Sequence, residues 1–358
     1  MCIASSGRCV FIQPEMNQQD QPRKEVTILD GGMGHELKLR GISDGTFVAG
    51  VLANENLLQA STVEAIHYDY LAAGCDVITT NSFVAVPRRM RECGLATDES
   101  SSFHRAAVLI RSAVDRARAA TQIAHEGKMP EKQKKIAGCV PPLTECYFGD
   151  QVPTIEDMTP EYLMIVSTLV DCEVDIILCE TLSTIREAIA VFHALSKSNN
   201  KHIPIWVSFT IKDDYPNELR SGDSLIDACN QIIKLASTLN LPLEAIGVNC
   251  STPSAISKAL SFMSPLVTGS GVKLCAYGNC FQTTTSEWMA SLKGDNDGQN
   301  IASERSISAE DYDHEGYLLP HAYARYACEW VDLGAQIIGG CCGSRPQHLK
   351  QVASMLRS

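Results

Sequence analysis

The stretch Ala335-Gln336-Ile337-Ile338-Gly339-Gly340-Cys341-Cys342-Gly343 is an apolar run that ends in two adjacent cysteines between glycines. Neighbouring side chains of a regular strand point to opposite faces, so two adjacent thiols can converge on one ion only where the strand ends and the backbone turns. The flanking glycines permit such a turn. The stretch therefore predicts a buried strand that presents two sulfur ligands for a soft metal ion at its carboxyl end.

A second apolar run, Ile246-Gly247-Val248, leads into Asn249 and Cys250, and Cys250 is a candidate third thiolate. Three sulfurs around Zn²⁺ leave the fourth tetrahedral position open for a substrate. A non-catalytic, closed zinc site would need a fourth protein ligand, and the sequence has no CxxC or paired His at the usual spacing to supply it. A metal-free redox pair of Cys341 and Cys342 is a further alternative.

Eight short apolar or β-branched runs alternate with longer amphipathic segments along the chain. The runs, which we predict to be strands, are 26–30, 76–81, 135–140, 174–180, 203–210, 244–250, 272–277 and 335–339. The amphipathic segments, which we predict to be helices, are 55–73, 99–120, 160–172, 185–198, 224–239, 254–263, 322–333 and 346–356. Strands that are apolar nearly throughout favour an α/β protein with a parallel sheet, and eight strand-helix units favour a single-domain (β/α)₈ TIM barrel. An open doubly wound sheet is the alternative.

Two segments depart from this alternation. Residues 1–24 lack periodicity and are predicted to be a poorly ordered extension, so that the barrel occupies 25–358. A segment rich in Gly, Asp, Asn and Ser around 291–315 is predicted to be a polar surface insertion.

The composition limits the partners and the compartment. The chain has 42 acidic and 30 basic residues, a formal net charge of -12, which argues against nucleic acid or an anionic membrane and favours a cationic substrate. No secretory signal and no membrane-length apolar run is found, so the 15 scattered cysteines indicate reduced thiols and a cytoplasmic protein. Seven of them are predicted to pack as small buried hydrophobic residues: Cys75, Cys139, Cys172, Cys179, Cys229, Cys275 and Cys328.

Polar side chains end most of the predicted strands. They are Asp30, Asn81, Glu180, Thr210, Asn249 with Cys250, Tyr277 with Asn279, and Cys341 with Cys342. In a (β/α)₈ barrel these ends meet at one face, where burial of acids, amides and thiols costs free energy unless something binds them. After the first strand, Gly31 and Gly32 suit close approach of backbone N–H groups to a substrate carboxylate. A dinucleotide fingerprint does not fit there, because Leu37 occupies its third small position.

Five strand-end motifs form a specific combination. They are Asp30-Gly31-Gly32, the stretch from Asp76 to Phe83, Cys179-Glu180-Thr181, Gly247-Val248-Asn249-Cys250-Ser251 and Gly339-Gly340-Cys341-Cys342-Gly343. Together they resemble the zinc-dependent homocysteine S-methyltransferase family over about residues 26–356. The resemblance implies a (β/α)₈ barrel, one zinc ion per chain, and methyl transfer to the sulfur of homocysteine to give methionine.

The resemblance also implies roles for individual residues. Cys250, Cys341 and Cys342 match the zinc ligands, and the substrate thiolate activated by zinc is the only catalytic group that it implies. Asp30 and Glu180 match the acids that bind the homocysteine ammonium. The Gly31-Gly32 turn matches the place of the substrate carboxylate, and Asn249 matches an orienting residue of the site.

The expected methyl donor is a sulfonium, S-methylmethionine or S-adenosylmethionine. Betaine as donor and selenocysteine as acceptor are alternatives within the same family. A sulfonium favours aromatic neighbours, and Phe83, Tyr147, Phe148 and Tyr277 follow predicted strands, although packing accounts for each one singly. The expected assembly is a monomer or a small homo-oligomer.

Overall fold

Eight parallel strands form one sheet in the computed structural model, which describes residues 25–42, 47–55, 57–127, 133–145, 151–284, 287 and 309–358. The strands are β1 (Thr27–Ile28), β2 (Val77–Thr79), β3 (Lys135–Val140), β4 (Ile176–Leu182), β5 (Ile205–Phe209), β6 (Leu243–Asn249), β7 (Lys273–Gly278) and β8 (Ala335–Gly340). Each lies within or overlaps a predicted strand. Residues 1–24, most of the predicted insertion around 291–315, and Tyr147 and Phe148 lie outside the described residues.

The order of the strands closes the sheet into a barrel. It runs β1-β8-β7-β6-β5-β4-β3-β2, and β1 pairs with β8 through Thr27 opposite Ile337. The remaining seam is joined by a parallel bridge between Leu29 and Val77 and by a hydrogen bond from the Asp30 N–H to the Val77 carbonyl at 3.0 Å. The (β/α)₈ barrel is confirmed, and the open doubly wound sheet is wrong because both edge strands meet.

Helices connect the strands and cover the outside of the barrel. Among the described residues they are α1 (Met33–Leu39), α2 (Phe47–Glu55), α3 (Leu57–Ala72), α4 (Pro87–Glu92), α5 (Glu99–Glu126), α6 (Ile155–Asp171), α7 (Ile185–Lys197), α8 (Leu225–Leu239), α9 (Pro253–Val267), α10 (Pro320–Asp332) and α11 (Pro346–Arg357), with a 3₁₀ turn at Ala309–Asp311. In the parts of the chain that the structure describes, no helix combines the length and the apolar character needed to cross a bilayer.

The start of α6 differs from the prediction. The helix begins five residues before Pro160, and the Thr154 side chain caps it by accepting a hydrogen bond from the Asp157 N–H at 3.2 Å. Acidic side chains in the first turn favour this earlier start, because they interact with the unsatisfied N–H groups and the dipole there. Pro160 is tolerated near the amino end of the helix at the loss of one backbone hydrogen bond.

Side chains that alternate along the strands fill the barrel interior. An inner cluster, separate from the larger layer between strands and helices, consists of Leu29, Val77, Ala137, Ile176, Leu178, Trp206, Ala245, Cys275, Tyr277 and Ile337. Because alternate residues share a face, the next inward positions toward the carboxyl ends of four strands are Thr79, Cys139, Glu180 and Ser208, and on β6 Asn249 follows one inward position beyond Gly247. The interior therefore changes from apolar to polar at the face where the strands end.

Asp76 ties the amino ends of the strands together. Its carboxylate accepts a hydrogen bond from the Ile28 N–H at 2.9 Å and forms an ion pair with Arg357, the last residue of α11, at 2.7 Å. The buried ammonium of Lys134 lies 3.9 Å from the same carboxylate. The last helix, α11, is thereby attached to the amino end of the barrel, opposite the polar face.

We expect Asp76→Ala to destabilise the barrel by about 3 kcal/mol, because it leaves the ammonium of Lys134 buried without its carboxylate. Urea unfolding followed by circular dichroism measures this free energy. Asp69→Ala, which removes the partner of Arg40 in an exposed ion pair, is the matched control and should cost less than about 1 kcal/mol. Equal losses in the two variants would contradict the role of Asp76.

Candidate metal and substrate site

Three thiols meet at the carboxyl face of the barrel. Cys250 follows β6, Cys341 and Cys342 follow β8, and their three sulfurs lie within 4.8 Å of one another. No other group of three or more Cys, His, Asp or Glu side chains in the described ranges brings its ligand atoms together in this way. The Cys250 and Cys342 sulfurs are 3.7 Å apart, close to the separation of about 3.8 Å that Zn–S bonds of about 2.3 Å give at tetrahedral angles.

The backbone of Cys250 turns sharply to present its thiol. Its φ of 51° is in the left-handed region, which costs a non-glycine residue of order 1 kcal/mol or more. The turn is held on both sides, since the Cys250 N–H donates to the Tyr277 carbonyl at 3.2 Å and the Cys250 carbonyl accepts from the Thr210 hydroxyl at 3.2 Å. Neighbouring strands thus fix a conformation that the local sequence disfavours.

The β8 turn needs glycine for a steric reason. A Cβ on Gly340 would lie 2.2 Å from the Ser344 hydroxyl oxygen, which donates a hydrogen bond to the Cys341 carbonyl at 2.7 Å. Ser344 therefore folds back over the strand end and closes the turn that carries both cysteines. Gly343 has a φ of 77°, which favours glycine as well.

Asn249 links three strand ends beneath the thiols. Its amide oxygen accepts hydrogen bonds from the Thr181 N–H at 2.9 Å and the Ser208 hydroxyl at 2.7 Å, and its amide nitrogen donates to the Thr181 hydroxyl at 2.8 Å. The same nitrogen lies 3.9 Å from the Cys341 sulfur. Asn249 is fully buried, so these bonds fix its orientation beside the thiols.

Asp30 is held at the end of β1 by a residue of β2. Its two carboxylate oxygens accept from the Thr79 N–H at 2.7 Å and the Thr79 hydroxyl at 2.8 Å. Burial raises the pKa of Asp30 to about 8 against the opposing effect of these bonds, and the nearby Glu180 carboxylate adds to the rise. The ionised form therefore lacks a compensating positive charge.

Glu180 is the second acid of this face. Its carboxylate accepts a hydrogen bond from the Cys139 thiol, with 3.0 Å between sulfur and oxygen. Burial raises the pKa of Glu180 to about 7, against the lowering effect of the Cys139 bond. The next residue, Thr181, has a φ of 62°, and the pairing of β4 with β5 is irregular at this point. A cation bound between Asp30 and Glu180 would favour the ionised form of both.

The Gly31-Gly32 turn packs more tightly against the protein than the sequence predicted. A Cβ on Gly31 would lie 2.6 Å from the Ser344 hydroxyl, and one on Gly32 would lie 2.7 Å from the Cys341 carbonyl. The Gly32 N–H donates to Ser344, at 3.2 Å to the hydroxyl oxygen and 3.3 Å to the carbonyl oxygen. The close contact with the turn that carries Cys341 and Cys342 is therefore enough to explain why both positions are glycine.

The three thiols make ionisation of one another less favourable. Hydrogen bonding with Cys250 and Cys342, together with burial, raises the pKa of the Cys341 thiol well above its usual range. Three thiolates at this separation repel one another unless a cation lies between them. The donor set, soft and anionic on ligation, suits Zn²⁺ better than a hard cation such as Mg²⁺.

Several residues of the site were not predicted from the sequence. Thr79 was not singled out, and Cys139 was assigned only to apolar packing. Inward alternation from Val77 and Ala137 would have placed both at the polar face, so this signal was present. Of the aromatic candidates, Tyr277 is buried inside the barrel and Phe83 is half-buried.

Comparison with known proteins supports one family. The family model described as homocysteine S-methyltransferase matches residues 27–356, most of the chain. Homocysteine S-methyltransferase 4 of Zea mays is 27% identical over 339 residues, which cover 92% of this chain and 89% of that protein. Selenocysteine methyltransferase of Astragalus bisulcatus is 26% identical over 351 residues, 93% of each chain.

A solved structure has the same fold. The metallated form of the homocysteine methyltransferase MmuM from Escherichia coli aligns with a TM-score of 0.69 at 24% identity, over 94% of this chain and 97% of that one. At this identity the structural likeness supports the barrel architecture.

Glu180→Gln should alter the pH dependence of stability of the metal-free protein. Because the folded state raises the pKa of Glu180 from 4.5 to about 7, its contribution is fully present below about pH 4.5 and is lost as the pH rises through about 7. Gln keeps an oxygen acceptor for Cys139 and removes the titration. We expect the melting temperature of the variant, relative to the original protein, to increase from about pH 5 to about pH 8.

Calorimetric melting over this pH range makes the measurement. Glu145→Gln, at an exposed position, controls for the loss of one carboxylate. If the difference in melting temperature between the variant and the original protein does not change with pH, ionisation of Glu180 does not destabilise the folded state.

Proposed function

The chain belongs to the homocysteine S-methyltransferase family, and on this basis we propose that it uses Zn²⁺ to transfer a methyl group from a sulfonium donor to the sulfur of homocysteine, giving methionine. The observation that carries the proposal is the cluster of Cys250, Cys341 and Cys342 at the same barrel face as Asp30 and Glu180. A three-sulfur metal site supports thiol chemistry, and two acids at the same face, Asp30 buried and Glu180 half-buried, support recognition of an amino acid ammonium.

Cys250, Cys341 and Cys342 would hold the zinc ion in this proposal. When bound with one position open, zinc would lower the pKa of a thiol ligand there, which would supply a nucleophilic thiolate at neutral pH. A fully closed zinc site is less favoured, since no fourth Cys, His, Asp or Glu ligand atom joins the cluster among the described residues. A metal-free redox pair would leave the convergence of Cys250 on the other two thiols without a purpose.

Asp30 and Glu180 would bind the ammonium group of homocysteine. Both acids are costly to ionise in the absence of a cation, because burial raises the pKa of each. The substrate ammonium supplies the missing positive charge, so binding restores both carboxylates to the ionised form. Asn249 and Gly31 would orient the rest of the amino acid, with the Gly31 N–H facing the substrate carboxylate, while the Gly32 N–H is already bonded to Ser344.

We propose S-methylmethionine or S-adenosylmethionine as methyl donor. Each carries a sulfonium, from which an in-line attack by the homocysteine thiolate displaces a neutral thioether. The acidic chain, with a net charge of -12, favours such a cationic donor. Betaine is a weaker candidate donor because its methyl groups are carried by a quaternary ammonium, which is a harder centre than a sulfonium. The thiolate chemistry also requires a reducing compartment, which is consistent with the cytoplasm.

A second acceptor is supported by one specific observation. The relative from Astragalus bisulcatus is a selenocysteine methyltransferase, and it matches 93% of the chain at 26% identity. A selenol would suit the same soft, sulfur-rich site and ionises more readily than a thiol. Selenocysteine is therefore the second candidate acceptor.

The test is mass spectrometry of the methylated product formed by purified, zinc-loaded protein. Homocysteine and selenocysteine are each combined with S-methylmethionine, S-adenosylmethionine or betaine. Methionine from homocysteine and a sulfonium donor is expected. The proposal fails if no sulfonium donor yields methionine, and activity with betaine alone would reassign the donor.

Each of Cys250→Ser, Cys341→Ser and Cys342→Ser should retain less than about a tenth of the zinc and of the turnover, because a hydroxyl is a poor zinc ligand at neutral pH. Metal analysis after gel filtration, with circular dichroism to verify folding, makes the measurement. Cys93→Ser is the matched control, since Cys93 is exposed. Full zinc content in any of the first three would remove that residue from the ligand set.

Methionine, the proposed product, should bind more tightly as the pH rises. Its ammonium needs ionised carboxylates, and the pKa of Glu180 is about 7 and that of Asp30 about 8. We expect the Kd for methionine to increase by about tenfold or more when the pH is lowered from about 8 to about 6.

Titration calorimetry on zinc-loaded protein measures this Kd. Methionine is used because it has no thiol that titrates in this range. Glu180→Gln should bind methionine weakly and lose the part of the pH dependence that is centred near pH 7. A pH-independent Kd in the original protein would contradict ammonium recognition by these acids.

A further inference from the structure

One thiol holds the Glu180 carboxylate. The Cys139 sulfur lies 3.0 Å from one carboxylate oxygen of Glu180, and no second hydrogen-bond donor to that carboxylate is found in the described parts of the chain. Asp30, by contrast, accepts bonds from both the N–H and the hydroxyl of Thr79. The two acids of the face are therefore fixed differently, and Glu180 depends on a single side chain.

Cys139 is itself rigidly placed. It is fully buried on β3, its N–H donates to the Thr80 hydroxyl at 3.0 Å, and its carbonyl accepts from the Ser82 hydroxyl at 3.3 Å. The Thr80 and Ser82 hydroxyls are also bonded to each other at 2.8 Å. The end of β2 thus fixes the backbone of Cys139, and with it the direction in which the thiol points.

In the hydrogen bond between Cys139 and Glu180, the proton is on the Cys139 sulfur. Burial, with the adjacent charge of Glu180 as the next cause, raises the pKa of the Cys139 thiol well above its usual range. The thiol therefore donates and the carboxylate accepts. A carboxylate has two oxygens, and this bond uses one of them, the atom Oε1.

We propose that Cys139 is a positioning residue for the amino acid substrate: its thiol fixes one oxygen of Glu180 so that the other oxygen faces the substrate ammonium. The inference rests on the proposed function, in which Glu180 binds that ammonium. A thiol is a weak donor, so it orients the carboxylate without compensating its charge. The Glu180 carboxylate is thus held in place, and a substrate ammonium still stabilises its ionised form substantially.

The experiment compares Cys139→Ala with Cys139→Ser in zinc-loaded protein. Both changes remove the sulfur and its packing, but only Ser restores a hydrogen-bond donor. In Cys139→Ala we expect the KM for homocysteine and the Kd for methionine to increase about fivefold, with kcat within about twofold of the original. In Cys139→Ser both constants should stay within about twofold of the original.

A second buried cysteine of the barrel interior supplies the packing control. The Cys275 sulfur lies 3.8 Å from the Val207 carbonyl and makes no bond to Glu180, so Cys275→Ala should leave KM unchanged. Melting temperature and zinc content are measured for every variant. If Cys139→Ala and Cys139→Ser weaken binding equally, or if neither does, the positioning role is overturned.

A double-mutant cycle tests the route through Glu180. In the Glu180→Gln background, Cys139→Ala should add less than about twofold to the Kd for methionine. An additional fivefold effect in that background would show that Cys139 acts independently of Glu180. Absence of any homocysteine or methionine binding by the original protein would refute the proposed function itself, which is a different outcome from unchanged binding in Cys139→Ala.

Discussion

The convergence of three sulfurs at one end of the barrel is the constraint on which the rest of the site depends. Cys250 and Cys342 come from loops after different strands, yet their sulfurs lie 3.7 Å apart. This approach uses a left-handed backbone at Cys250 and a glycine turn around Cys341 and Cys342, and hydrogen bonds from the N–H groups of Cys250 and Cys341 to the neighbouring strand β7 hold both in place. The parallel barrel supplies those neighbours, because all of its strands end at the same face.

The two ends of the barrel differ in how their acidic side chains are compensated. At the amino end, Asp76 is compensated by Arg357 and Lys134, so the buried charge there closes the fold. At the carboxyl end, Asp30 is buried and Glu180 is half-buried, each with a hydrogen-bond donor but without a compensating cation, and desolvation raises the pKa of both. A cation bound between the two acids would stabilise their ionised forms, so binding and the stability of the site would be linked.

Much of the fold could be predicted because its signals are local. Each strand is a short apolar run, and the Thr184–Glu187 capping box marks the start of α7. The predicted start of α6 at residue 160 is wrong, because Thr154 caps the helix and the helix begins at Ile155. At the site, the sequence identified the cysteines and the acids but not their supports. Thr79 and Cys139 have no distinctive local pattern, and their importance lies in what they contact.

The sequence by itself determined the barrel and the kinds of side chain at its carboxyl face, since strand periodicity and the side chains at strand ends are properties of contiguous residues. Only the tertiary structure decided how those side chains are aimed. Thr79 is 49 residues from Asp30, Cys139 is 41 residues from Glu180, and Cys250 is 92 residues from Cys342. No local pattern specifies contacts at such separations. They arise because the closed sheet places each strand end beside two others, which fixes the left-handed turn of Cys250 and the single thiol bond to Glu180.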